Sequence, residues 1–168
     1  MDPVDPKIRA EIDQKQAARE RDEAMDRFGT AADLSKTAEH LRAAGYTEAA
    51  APLDAAADRI ASAGSVDLAQ AQLLGSAAAM WRSTERDLLQ EEKLRDRAAF
   101  TDIAGHYSEY EAAKAPTEAE RSHDLEEARR FHDEARRIWA EGQAQGAVAN
   151  AEDAIARSLE EEAARLDK

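Results

Sequence analysis

Between Ser65 and Lys168 the chain contains a single proline, Pro116, and that residue sharply limits what the sequence can fold into. On neither side of it does an alternating run of Val, Ile, Thr and aromatic residues occur, so nothing reads as a strand. Alanine, the strongest helix former, accounts for 40 of the 168 residues, while aromatics make up only 5%. Alanine removes little area from water when buried, so such a chain builds long, thin, closely packed helices. The 35% charged fraction solvates their outer faces. Pro116 biases Ala115 away from the helical region, and Thr117 with Glu120 forms a T-x-x-E capping box for a new helix. A continuous helix over 66–114 would be about 73 Å long at 1.5 Å per residue. Two long helices joined by a turn at 114–117 fold back antiparallel. The expectation is an all-α protein: an elongated helical bundle built on a long antiparallel helical hairpin over 65–168.

The first 64 residues are punctuated more densely. Asp5 followed by Pro6 is an N-cap and first-turn pair. The helix it opens runs through Ile8, Ile12 and Met25. Gly29-Thr30 leaves open whether residues 5–44 form one helix or two, and Gly45 stops the segment. Thr47 caps a short helix, Pro52 is tolerated near its start, and Gly64 closes it. Residues 1–64 are thus expected as short helices packing on the hairpin, in one structural unit with it.

The most regular pattern lies at the C-terminus. Residues 127–168 divide into six sevens: EARRFHD, EARRIWA, EGQAQGA, VANAEDA, IARSLEE and EAARLDK. The second position is always tiny, from Ala128 through Ala135, Gly142, Ala149 and Ala156 to Ala163. The fifth holds Phe131, Ile138, Gln145, Glu152, Leu159 and Leu166. Alternating steps of three and four residues make this a coiled-coil-like, Ala-rich seam. Pivoting about Pro116 pairs residues whose numbers sum to about 231. Phe100 then faces Phe131, Ile103 faces Ala128, and Trp81 fills a trough made by Gly142, Gly146 and Ala149.

Charge and composition narrow the function classes. The formal net charge is −13, and each third of the chain is net negative, so no basic face for nucleic acid is expected. The acidity reads as solubility; an acidic inhibitor mimicking nucleic acid is the alternative. There is no cysteine, which removes disulfides, thiolate metal sites and cysteine nucleophiles. No signal peptide or membrane-spanning stretch is recognisable, so a cytoplasmic protein without a membrane partner is expected.

Glu120-x-x-His123 is a ligand pair at helical spacing, with His106 and Glu109 expected near it across the hairpin tip. Ferritin-like carboxylate sites use two such pairs, and only one is present. Arg129, Arg130, Arg136 and Arg137, with Trp139, form a basic band able to grip a partner, although Glu126, Asp133 and Glu134 stand at intrahelical pairing distance. Gly45-Tyr46-Thr47-Glu48-Ala49-Ala50 resembles the turn of a tetratricopeptide repeat covering 30–64, a fold that needs at least three repeats. Tyr107-x-x-x-Glu111 resembles the tyrosine–acid signal of actinobacterial type VII secretion substrates, which would imply a helical protein exported without a leader. No phosphate loop, nucleophile elbow or HExxH occurs. The reading is therefore a non-enzymatic, cofactor-free helical protein–protein interaction or assembly module, with a homodimer or an unknown protein as partner. The alternative is a helical bundle that holds a metal or small ligand.

Overall fold

A computed structural model describes residues 5–166. The protein is all-α: α1 is Pro6–Ala43, α2 is Thr47–Lys114 and α3 is Glu118–Leu166. Each end has a local cause. Asp5 caps α1 by accepting from the Lys7 amide at 2.8 Å, with Pro6 in the first turn. After α1 the chain turns through Gly45, whose φ of +89° is open to glycine without strain. Before α3 the Glu120 amide donates to the Thr117 hydroxyl at 3.2 Å, and that hydroxyl donates to the Glu120 carboxylate at 2.9 Å. No helix among the described residues is long and apolar enough to cross a membrane.

Neither Gly29 nor Gly64 ends a helix. Gly29-Thr30 does not interrupt α1, where the Thr30 hydroxyl bonds back to the Asp26 carbonyl at 3.0 Å. Gly64 does not close a short helix either, because α2 runs straight through it. Its glycine serves packing. A Cβ there would meet the Phe28 ring at 3.2 Å and the Ala24 carbonyl oxygen at 3.3 Å, so α1 approaches α2 where there is no side chain to hold it off. Helices of 38 and 68 residues around Gly45 also do not match the short helical pair of a tetratricopeptide repeat. The expected division at 64/65 falls inside α2.

The chain divides into two compact units, one made of residues up to Arg82 with those from Asp153 onward, the other of Ser83–Glu152. In the first, three helical segments pack together through tiny residues at every seventh position. α1 supplies Ala10, Ala17, Ala24, Ala31 and Ala38; α2 supplies Ala50, Ala57, Gly64, Ala71 and Ala78; α3 supplies Ala156 and Ala163, all of them buried. Trp81 is the bulky exception and is fully buried. It packs with Ala10, Ala156 and Met80, and two turns away Leu74 packs with Ala17 and Ala163. The indole N–H donates to Glu160 Oε1 at 2.7 Å, while the Arg9 guanidinium lies 4.9 Å from the ring centroid and 3.0 Å from Glu160 Oε2. Trp81 therefore belongs with α1 and the C-terminal turns of α3, not in the expected Gly142–Gly146–Ala149 trough.

Asp13 sits beside this cluster, buried, in a hollow shared with Arg9, Gln16, Gln70 and Glu160. Burial first, and then the negative charge of Glu160, push its carboxyl up to about 6.

In the second unit the last turns of α2 pack against the first turns of α3. Ser83 donates to Glu152 at 2.7 Å, Leu94 and Ala98 pack with Ile138, and Ser108 donates to Glu127 at 3.4 Å. These pairs run in opposite chain directions. The seam again uses tiny residues: Ala98, Gly105 and Ala112 on α2, and Ala128, Ala135, Gly142 and Ala149 on α3. A Cβ on Gly142 would meet Leu94 Cβ at 3.3 Å, and one on Gly146 would lie 2.6 Å from Glu91. The true pairing lies about one turn from the expected one. Phe100 and Ile103, expected to face Phe131 and Ala128, stand 74% and 61% exposed.

Candidate functional site

Displaced from the seam, Phe100 and Ile103 join Tyr107 and Tyr110 on one outward face of α2. The steps of three, four and three residues hold four large side chains on one side of a helix. Tyr107 and Tyr110 are 63% and 54% exposed. The same face carries Asp96 four residues before Phe100 and Lys114 four residues after Tyr110, both exposed. The Lys114 ammonium lies 3.7 Å from the Tyr110 ring centroid.

Between that face and the seam lies the chemically richest group of the second unit. Asp102, His106 and Glu109 stand at helical spacing on α2, and His132 reaches them from α3. His132 Nδ1 lies 2.7 Å from Asp102 Oδ1 and its Nε2 lies 3.3 Å from Glu109 Oε1, both within hydrogen-bond distance. The second imidazole repeats the arrangement: His106 Nδ1 is 3.0 Å from Glu109 Oε2, and its Nε2 is 3.5 Å from Asp102 Oδ2. Two imidazoles and two carboxylates thus alternate around a closed ring, with the imidazoles edge to face at 4.8 Å.

The electrostatics follow the contacts. The hydrogen bond to Asp102 raises His132 above the usual 6.5, with Glu109 adding to it and burial opposing it. Asp102 is lowered chiefly by its bond to His132, and Glu109 chiefly by its bond to His106. Ligand atoms of Asp102, His106 and His132 all lie within 4.8 Å of one another, close enough for one metal ion to gather them.

His106 is therefore drawn to His132 and not to Glu120 and His123, as the sequence suggested. The Glu120 carboxylate is taken up by the Thr117 cap. His123 lines a separate shallow hollow with Glu111, Lys114 and Asp124. His132 is the member of this group that sequence reasoning missed, because it joins the others only through the α2–α3 register. The signal that was available is Asp102-x-x-x-His106-x-x-Glu109, three ligand types on one helical face.

The arginine band is locally occupied. Arg130 pairs with Glu126 at 2.6 Å, Arg136 with Asp133, and Arg137 with Glu134. Arg129 is exposed on the same stretch of α3. Trp139, 45% exposed, carries the Arg95 guanidinium 5.5 Å from its ring centroid and borders a hollow shared with Ala98, Asp102 and Arg136. Compared with protein-family models, with curated proteins and with solved structures, the chain matches none.

Proposed function

We propose that this chain is a non-enzymatic assembly module that docks a second copy of itself through the outward face of α2. The observation that carries this reading is the symmetry of that face. Asp96, Phe100, Ile103, Tyr107, Tyr110 and Lys114 follow gaps of 4, 3, 4, 3 and 4 residues, which read the same in both directions about position 105. A two-fold axis through that point pairs Phe100 with Tyr110 of the second copy and Ile103 with Tyr107. It also sets Asp96 against Lys114 at both ends. An isologous interface requires this self-complementarity, and it leaves aromatic residues central and charges at the rim. Four large apolar side chains left more than half exposed on one helical face also favour coverage.

Sedimentation equilibrium tests the reading. The parent protein is expected to be a dimer at micromolar concentration, and Phe100→Asp with Tyr107→Asp is expected to leave a helical monomer. Asp96→Lys should weaken the dimer at least about tenfold by opposing like charges. Adding Lys114→Asp to it should restore association. A parent that stays monomeric at high micromolar concentration, or a double charge swap that restores nothing, overturns the reading.

A further inference from the structure

We infer that Asp102, His106 and His132 form a binding site for one divalent transition-metal ion of the zinc class, with Glu109 holding both imidazoles by their other nitrogens. The inference goes beyond self-assembly and stands on different observations. The donor set comes first. Two imidazole nitrogens with carboxylate oxygens suit zinc and its neighbours, whereas magnesium and calcium sites are built from oxygen alone. Three protein donors leave the fourth position of a tetrahedral zinc open to water.

Geometry comes second. Ligand atoms of Asp102, His106 and His132 lie within 4.8 Å of one another. Glu109 meets the ring nitrogens opposite to those that face Asp102, His106 Nδ1 at 3.0 Å and His132 Nε2 at 3.3 Å, and so orients both imidazoles. Donors around a tetrahedral zinc at bond lengths of about 2.0–2.2 Å stand roughly 3.4 Å apart. Closing from the observed spacing needs shifts of about an ångström, within reach of rotamer adjustment. Two of the three side chains, Asp102 and His106, are half or more exposed and free to make them.

The third observation is Gly105, which sits between the ligands on α2. A Cβ there would fall 2.7 Å from His132 Cε1 and 2.9 Å from both ring nitrogens. No side chain fits under that imidazole, so glycine in a helix interior, where alanine is the stable choice, seats the α3 ligand against α2. The hydrogen bond between His132 Nδ1 and Asp102 already holds these two groups together, and an ion would take its place.

The test is zinc titration calorimetry on the full chain, freed of metal with a chelator and carrying no histidine tag. One zinc per chain is expected, together with a zinc-dependent rise in melting temperature. His106→Gln, on an exposed side chain that leaves packing intact, should weaken binding at least about tenfold. Gly105→Ala should also weaken it, by lifting His132 from its seat, while circular dichroism shows the helices retained. His106→Gln with His132→Gln should abolish both heat and melting shift, and His123→Gln should change neither. Absence of zinc heat in the parent, or binding that survives loss of both His106 and His132, overturns the assignment. Because Asp96→Lys leaves these ligands untouched, its effect on association is read separately from zinc affinity.

Discussion

Trp81 shows how much one side chain carries when its neighbours are small. With Ala10 and Ala156 against it, the indole supplies apolar area that no adjacent seam residue matches, and its N–H also holds Glu160. Trp81→Ala should therefore cost on the order of 3–5 kcal/mol in urea-unfolding experiments. Trp81→Phe should cost less, since it keeps most of the packing and loses the bond to Glu160. Next to it, Asp13 works against the fold at neutral pH. Its folded-state pKa of about 6 stands above the ordinary 3.8. Its contribution is therefore complete below about pH 3.8 and is lost as pH rises through about 6. Asp13→Asn, which keeps a neutral group in place, should raise stability at pH 7 by about 1–2 kcal/mol, less than the whole displacement because Glu160 is coupled to the same proton. The gain should vanish near pH 4; a variant no more stable than the parent at pH 7 would contradict the burial argument. His132 shifts in the same direction for another reason, attraction to Asp102 and Glu109. By proton NMR its midpoint should lie above 6.5 and fall in Asp102→Asn.

At the scale of helices, glycine separates what the sequence reveals from what it hides. Gly29 has open space around its missing Cβ, whereas Gly64 has α1 against it. Gly29→Ala should then stabilise the protein by up to about 1 kcal/mol through helix propensity alone, as thermal melts would show. Gly64→Ala should forfeit that gain, since the new methyl group meets the Ala24 carbonyl. Sequence treats the two alike, and so a break was expected where a close crossing occurs. The true ends at Asp5-Pro6, Gly45 and Ala115–Thr117 were legible because proline, positive φ and capping act locally. The six tiny seam positions of α3 were legible for the same reason: period seven is a property of one helix, and all six are buried. The equivalent period in α1, five alanines from Ala10 to Ala38, stood in the sequence just as plainly and was passed over. Register was not legible. A seam of alanines offers no large residue for a single partner to match, and an error of one turn sent Phe100 inward and kept His132 from its ring. The α2 members of the proposed metal site could have been found from spacing, and the α3 member could not.

Across the molecule, the two units differ in how many helices share a core. The first is built from three segments around Trp81 and Leu74, and the second from two. With one fewer neighbour to bury each turn, amides of Ser83–Glu152 should open more readily. Hydrogen exchange followed by mass spectrometry should show faster uptake on the facing amides around Leu94 and Ile138 than around Leu74 and Trp81. Equal protection in the two would mean that a pair of helices closes as tightly as three. Zinc should slow exchange over Asp102–Glu109 and around His132, leaving the first unit unchanged. The seven-residue spacing of tiny residues has a last consequence. Slid by two turns, such a seam presents the same surface to its neighbour, so alanine packing alone leaves several alignments almost degenerate in energy. What lifts the degeneracy is the few places where the repeat is broken: the Trp81 indole with its Glu160 and Arg9 partners in one unit, and the His132 ring seated on Gly105 in the other. Each occurs once and fits one alignment, acting as an index mark on an otherwise uniform scale.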